Sequence, residues 1–254
     1  MTDARETAHA GTLLRSWREH RRLSQQALSD RSTVSTRHLS RVETGRARPS
    51  ASMLVQLSDH LDLPIRDRNR LLVLAGHAPR YDDRRLDDPA LGPVLHSLRE
   101  LLTAHLPYPA LLLDDHWDVV EANAAVDALL SGCAADLLEP PINVVRLCLH
   151  PEGLAPRLRD VDRWAGLLWH QVSRRAERTN APRLHRLVDE IRGFLGEIGS
   201  ELPVSGPVVS LDLVDGDDTL RFFSTSTQLT TATDGALEGL HLETFLPADA
   251  HTRR

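Results

Sequence analysis

The chain has 254 residues, 41% hydrophobic and 26% charged, which is ordinary for a soluble globular protein and long enough for one or two domains that each bury a core. No stretch approaches the ~18 uncharged apolar residues of a membrane-spanning helix, the opening MTDARETAHAGT lacks the apolar centre of a signal peptide, and two cysteines, Cys133 and Cys148, are too few for a disulfide framework. These features exclude membrane insertion and a disulfide scaffold and set the expectation of a reduced, cytoplasmic protein. All 30 basic residues are arginine and they are unevenly spread: residues 1–80 hold 14 against 8 acids, whereas residues 81–254 hold 16 against 28. A basic first third fits a polyanionic partner, and an acidic remainder argues against a second nucleic-acid site.

In chain order, residues 1–9 are expected to be a flexible N-terminus. Thr12 to Ala75 reads as a run of short helices within a head spanning 10–78. Leu13, Leu14 and Trp17 form an apolar face. Ser24, Ser35 and Ser50 sit where N-caps belong, Gly45 where a helix ends, and Pro64 where the chain breaks before a fifth helix, Ile65 to Ala75. Residues 79–92, charged and proline-bearing, read as a linker. A helix is expected from Val94 to Leu106. Ala110–Leu113 and Trp117–Val120 read as two strands joined by an Asp-rich turn, followed by a helix from Asn123 to Leu130. Asn143–Leu149 is apolar but ambiguous in type. Val161–Thr179 and 183–198 read as long helices. Val208–Val214 and Leu220–Leu229 read as a hairpin around Asp215-Gly216-Asp217-Asp218, with a last strand at Leu240–Leu246. Residues 93–249 therefore form a sheet with helices packed on it, before a short tail at 250–254.

The strongest motif is Leu23 to Ser50, LSQQALSDRSTVSTRHLSRVETGRARPS. It has small residues where two helices approach (Ala27, Ser29), a turn near Thr33, and apolar residues that fix the angle (Leu28, Val34, Leu39, Val42). The outer face of the second helix is polar: Ser35, Thr36, Arg37, Ser40 and Arg41. Arg37 and Arg41 lie one turn apart and point the same way. Arginine grips guanine O6 and N7 with two hydrogen bonds, worth roughly 1–3 kcal/mol of discrimination. Gln25, at the start of the preceding helix, and Thr44, Arg46 and Arg48 would meet phosphates.

This segment resembles the Xre/Cro-type helix-turn-helix family, through Leu23-Ser24-Gln25, Ala27-Leu28, Val34-Ser35, Leu39-Ser40, Val42-Glu43, Gly45-Arg46 and Pro49-Ser50. The resemblance gives Gln25, Thr36, Arg37 and Arg41 the family's main DNA-contacting positions and Glu43 a role inside the fold. Thr33 departs from it, because the turn commonly carries glycine. Leu91 to Asp249 resembles the MmyB-like (MltR-type) ligand-binding domain often fused to such a head. That likeness rests on Leu112-Leu113-Asp114, Trp117-Asp118-Val119-Val120, Ala122-Asn123-Ala124-Ala125, Asn143-Val144-Val145-Arg146 before His150-Pro151, Trp164, Leu220-Arg221-Phe222-Phe223 and Glu243-Thr244-Phe245-Leu246-Pro247. It implies a PAS-type fold that binds a small apolar molecule such as a fatty acid. Trp117, Trp164, Trp169, Phe194 and Phe222 are the candidate cavity walls. Arg146 and His150 are candidate partners of a head group, and Asn123 a further candidate whose capping role is favoured.

The expected fold class is α+β in two domains: an all-α five-helix helix-turn-helix head, then a PAS-like mixed α/β domain with an antiparallel sheet. The expected function is a sequence-specific, DNA-binding transcription regulator that acts on double-stranded operator DNA as a homodimer and is modulated by a small apolar ligand. The alternative is a second domain with a filled core that serves only dimerisation or partner docking. Catalysis is not expected: His150, His170, His185 and His241 are scattered, and no HExxH, GxSxG, phosphate loop or CxxC is present. No cofactor and no metal are expected.

Overall fold

The computed structural model describes residues 3–195, 208–230 and 232–253, with side chains described from Ala10 to Phe194 in the first stretch. The expected helical positions 196–198 and the last residue of the tail lie outside them. The chain divides into two compact units. The first holds residues 1–85 with 177–179 and 231–238, and the second holds 86–176, 180–230 and 239–254. The 79–92 stretch thus divides at residue 85. Its first part is held down by Asn69, whose Nδ2 donates to the Tyr81 carbonyl at 2.8 Å while its Oδ1 accepts from the Arg80 and Tyr81 amides at 3.0 and 3.1 Å.

The first unit contains five helices: α1 (Asp3–His20), α2 (Gln25–Arg31), α3 (Thr36–Glu43), α4 (Ala51–His60) and α5 (Ile65–Leu74). Helix α1 begins well before the expected Thr12. Serine caps start three of the helices. Ser24, Ser35 and Ser50 each accept a hydrogen bond from the amide three residues on, so the short helices begin where the sequence places them. Gly45 (φ 69°) ends α3, with Arg46 N–H donating back to the Arg41 carbonyl at 2.7 Å. Apolar faces from all five helices meet in one core around Leu14, Trp17, Leu28, Leu39, Leu54 and Leu71.

The turn between α2 and α3 explains Thr33. Ser32 is extended (φ −110°, ψ 168°), and its hydroxyl accepts from the Val34 amide at 3.3 Å. Thr33 is not among the residues of positive φ. The turn needs no left-handed residue and hence no glycine.

The second unit opens with a 3-10 turn (Pro89–Leu91) and α6 (Gly92–Ala104), then β1 (Ala110–Leu113), β2 (Val119–Ala122) and α7 (Ala125–Leu129). Helices α8 (Val144–Leu149), α9 (Val161–Thr179) and α10 (Pro182–Leu195) follow, then β3 (Leu211–Asp215), β4 (Asp218–Gln228) and β5 (His241–Pro247). The five strands form one antiparallel sheet in the order β2-β1-β5-β4-β3. The two-domain α+β architecture with a PAS-like second domain is therefore as expected. The hairpin expected around Asp215–Asp218 is present, and its turn is two residues long, with Gly216 at φ 60° and Asp215 opposite Asp218. The ambiguous segment is α8. Asn143 caps it by accepting from the Arg146 amide at 3.3 Å, and donates to the His116 carbonyl and the Asp118 carboxylate at 2.7 and 2.8 Å. Helix α9 starts at Asp160, whose side chain accepts from the Arg163 amide, and stops at left-handed Asn180 (φ 51°). Among the described residues, no helix is long and apolar enough to cross a membrane.

Helix α1 passes close to the end of α3 at Gly11. A Cβ there would lie 2.3 Å from the Val42 carbonyl oxygen and 2.9 Å from that of Glu43. Both atoms are backbone at the end of α3 and cannot swing away. Helix propensity alone would make Gly11→Ala stabilising by about 1 kcal/mol. Overpacking at this contact costs about 1–3 kcal/mol. The expected result is net destabilisation in urea unfolding, and a stabilised variant would contradict the close approach.

Candidate nucleic-acid interface and apolar cavity

One face of α3 is spent on the core, through Leu39 and Val42. The opposite face carries the side chains singled out from the sequence. Arg37 and Arg41 are exposed, while Thr36 and Ser40 are partly covered. The side chains of Arg37, Arg41 and Arg46 make no hydrogen bond or ion pair with other described residues, so their guanidinium groups are free to meet another molecule. Thr36 Oγ1 donates to Gln26 Oε1 at 3.0 Å, which ties the two helices across the turn. Ser35 is committed to its cap, and Thr44 Oγ1 donates to the Ser40 carbonyl at 2.7 Å. Arg48 is placed differently from its neighbours: its Nε faces the Ala75 carbonyl at 3.4 Å, beside Gly76.

The position of α3 is set from behind by Glu43. Its carboxylate is 1% exposed and receives Arg18 Nε at 2.7 Å on Oε1, and a second Arg18 nitrogen at 2.9 Å with Gln25 Nε2 at 2.8 Å on Oε2. Arg18 also donates to the Leu23 carbonyl at 2.7 Å. One carboxylate thus links α1, α2 and α3. Gln25, expected at phosphates, commits an amide hydrogen to this network. Charge-assisted, bidentate bonds of this kind fix geometry as well as energy.

In the second unit a cavity of about 40 Å³ lies between the sheet and helices α8 and α9. Strand alternation supplies its floor. Leu111 and Leu113 of β1 and Glu243 and Phe245 of β5 share one face, with Leu111 directly opposite Glu243. Helical spacing supplies its roof: Trp164, Leu167, Leu168 and Gln171 follow one stripe of α9, and Val144 and Cys148 one stripe of α8. Trp117, held at φ 61°, closes one side with Arg175 over its ring at 4.9 Å. Burial pushes the Cys148 thiol up to about 12, so it is neutral at ordinary pH.

Comparison with known families follows this division. A helix-turn-helix domain matches residues 9–71, and the MmyB-like transcription regulator ligand binding domain matches residues 94–254. The chain belongs to the MmyB-like transcription regulators. No curated protein matches the chain. Its domains are those of a DNA-binding transcription regulator with a ligand-binding domain, rather than those of an enzyme.

Within this MmyB-like domain the structure brings two of the eight candidate ligand residues, Trp117 and Trp164, to the cavity wall. It spends the other six elsewhere. Asn123 is buried and satisfies backbone, accepting from the Ala110 amide at 3.2 Å and donating to the Leu102 and Tyr108 carbonyls at 3.0 and 2.9 Å. Arg146 forms a two-pronged ion pair with Glu190 on α10, at 2.7 and 2.9 Å. His150 accepts from the Glu152 amide at 3.1 Å and stacks edge-on against Phe194. Trp169 lies under Arg192, with ring centroid and guanidinium 5.6 Å apart. Phe222 packs edge-on against Phe245 in the core. Aromatic size selects core residues first and cavity walls only by accident of position. The residue missed from the sequence is Glu243. Its signal was legible: it is two positions before Phe245, so the alternation that buries one turns the other inward.

The histidines do not converge. His241 is buried against Trp117, and burial, reinforced by the charge of Arg175, lowers it to about 4. No cluster of metal-ligating side chains occurs among the described residues.

Two outcomes test the head. Arg37→Ala and Arg41→Ala are each expected to weaken binding to the preferred sequence by about 1–3 kcal/mol while sparing non-specific binding, measured by fluorescence anisotropy on specific and scrambled duplexes. An unchanged ratio in both would remove α3 from the reading role. Glu43→Ala takes from the buried Arg18 its two-pronged partner and leaves it only the exposed Glu19 carboxylate, 3.5 Å from a terminal nitrogen. It is expected to cost about 3–5 kcal/mol in urea unfolding; a loss below about 1 kcal/mol would contradict the network.

Proposed function

We propose that the head reads operator DNA with α3, and that a small apolar molecule held in the second domain modulates that binding. The observation that carries the first part is the pair of unpaired, exposed guanidinium groups of Arg37 and Arg41 on one face of a helix whose rear is locked by Glu43. Ser35, Thr36 and Ser40 complete the reading face. Gln25, Thr44, Arg46 and Arg48 lie around it as the phosphate-facing set, which sets register and affinity rather than sequence choice. The protein acts as a homodimer, so that two copies of α3 meet half-sites about one helical turn apart (~34 Å).

The second part rests on the apolar lining of the cavity. At about 40 Å³ it is far smaller than the ~300–1,000 Å³ of a formed drug-sized site. A single-chain molecule, the class that includes fatty acids, must part α9 from the sheet to enter. Opening on entry makes the liganded and empty domains different in shape, and such a difference in ligand affinity between two states is what regulation requires.

The small volume also favours a second reading, in which the domain is packed and serves only to pair copies of the chain. Organic extraction of the purified protein followed by mass spectrometry separates the two. The ligand reading predicts a stoichiometric apolar molecule that Leu167→Trp, filling the cavity, abolishes together with any ligand effect on operator affinity. An empty extract, with the variant's DNA binding indistinguishable from that of the native protein in the presence of added apolar compounds, would establish the packed module.

A further inference from the structure

The cavity is apolar but not featureless. Its lining contains one carboxylate, Glu243, and no arginine or histidine. On the sheet, Ser226 is directly opposite Glu243, and Ser224 is opposite Phe245. Burial raises the Glu243 carboxyl above the usual range, and the Ser224 and Ser226 hydroxyls oppose that rise. From the helical side comes the complementary group. Trp164 is 6% exposed, lines the same cavity, and its indole N–H is buried without a hydrogen-bond partner. Cys148 links the two: its sulfur feels both the Trp164 N–H and the Glu243 charge. A neutral thiol is a weak acceptor, so it leaves the indole donor unsatisfied.

An orphan donor and a half-buried carboxyl group lining one small, mostly apolar space define the group that fits between them. We propose that this cavity selects an apolar molecule with a hydroxyl head, which donates to Glu243 and accepts from the Trp164 indole N–H. A carboxylate head is rejected. It could accept from Trp164, but it would crowd a second acid group against the Glu243 carboxyl in a poorly solvated space, where the two cannot both be ionised without strong repulsion. An ammonium head would satisfy Glu243 and leave Trp164 unpaired. The discrimination resembles that of any buried polar site, where the analogue lacking the right group strands a polar atom. The expected class is therefore a small aliphatic or aromatic alcohol rather than a fatty acid.

The inference rests on the cavity being the ligand site, and the test separates the two. Full-length protein is titrated near pH 7 with 1-octanol, octylamine and octanoate, all with the same chain, by calorimetry and by the fluorescence of the lining tryptophans. Octanol is expected to bind at least ~10-fold more tightly than octanoate. Glu243→Gln removes the charge and is expected to narrow that ratio by ~10-fold. Trp164→Phe keeps the wall and removes the donor, and is expected to weaken octanol several-fold while leaving octylamine little changed. Thermal melts check that both variants are folded. Octanoate binding as tightly as octanol, octylamine binding more tightly than octanol, or a ratio unmoved by Glu243→Gln would each overturn the hydroxyl assignment while leaving the cavity as the site. Binding of none of the three compounds would overturn both.

Discussion

Glu43 is the pin that fixes α3, the helix proposed to read DNA. A recognition helix is useful only if its outer side chains arrive at fixed distances from the groove, and an eight-residue helix has little stiffness of its own. Here the buried carboxylate takes three hydrogen bonds from Arg18 and Gln25, on the two preceding helices. The close pass of α1 over the end of α3 at Gly11 holds the same corner from the other side. A buried ion pair is a costly way to gain stability, and an apolar replacement could serve that end as well. What it supplies is direction, because a bidentate guanidinium fixes the plane of the carboxylate and so the rotation of α3. Arg37 and Arg41 can stay unpaired on the outside because the helix does not depend on them for its place.

The second domain solves a different problem. Its sheet presents Leu111, Leu113 and Phe245 to helices α8 and α9, and the fit is nearly complete. Ion pairs tie down the periphery: Arg146 to Glu190, and Arg183 to Asp118. Glu243, Ser224 and Gln171 bring polar groups to the lining of this apolar layer, and the Trp164 indole comes from the helical side. A packed protein interior rarely leaves a buried donor such as the Trp164 N–H unsatisfied, and such groups concentrate where something else binds. The regulatory logic follows from the size of the space. A site that must widen to be filled couples occupancy to the position of its own walls, which is the coupling free energy that an effector needs.

Much of the fold was legible because its signals are local. Ser24, Ser35 and Ser50 cap helices within three residues, Gly216 turns a hairpin, and the 3.6-residue stripe of Trp164, Leu168 and Val172 gives α9 the bounds it has in the structure. The outer face of α3 was legible for the same reason. Long-range features were not. Asn143–Leu149 is too short for periodicity to choose between helix and strand, and the choice is made by the Asn143 cap. Gly11 sits in an unremarkable polar run, and only the approach of a helix about thirty residues later makes it necessary. Arg146 and His150 looked available for a head group because their partners, Glu190 and Phe194, lie some forty residues away. Trp169, Phe194 and Phe222 are large and apolar, and size predicts burial rather than access. Glu243 was hidden by the habit of reading acids as surface, though its place in the β5 alternation turned it inward.

On the proposed reading, exposed arginines of α3 contact guanines in the major groove. The most direct measurement is guanine-N7 methylation interference on a duplex selected for tight binding by the intact protein. Two clusters of interfering guanines about one helical turn apart (~34 Å) are expected, with interference lost from the matching guanine when Arg37 or Arg41 is replaced by alanine. Tight, sequence-selective binding with no N7 interference at any position would contradict it, because the reading would then come from the minor groove or from another face of the protein.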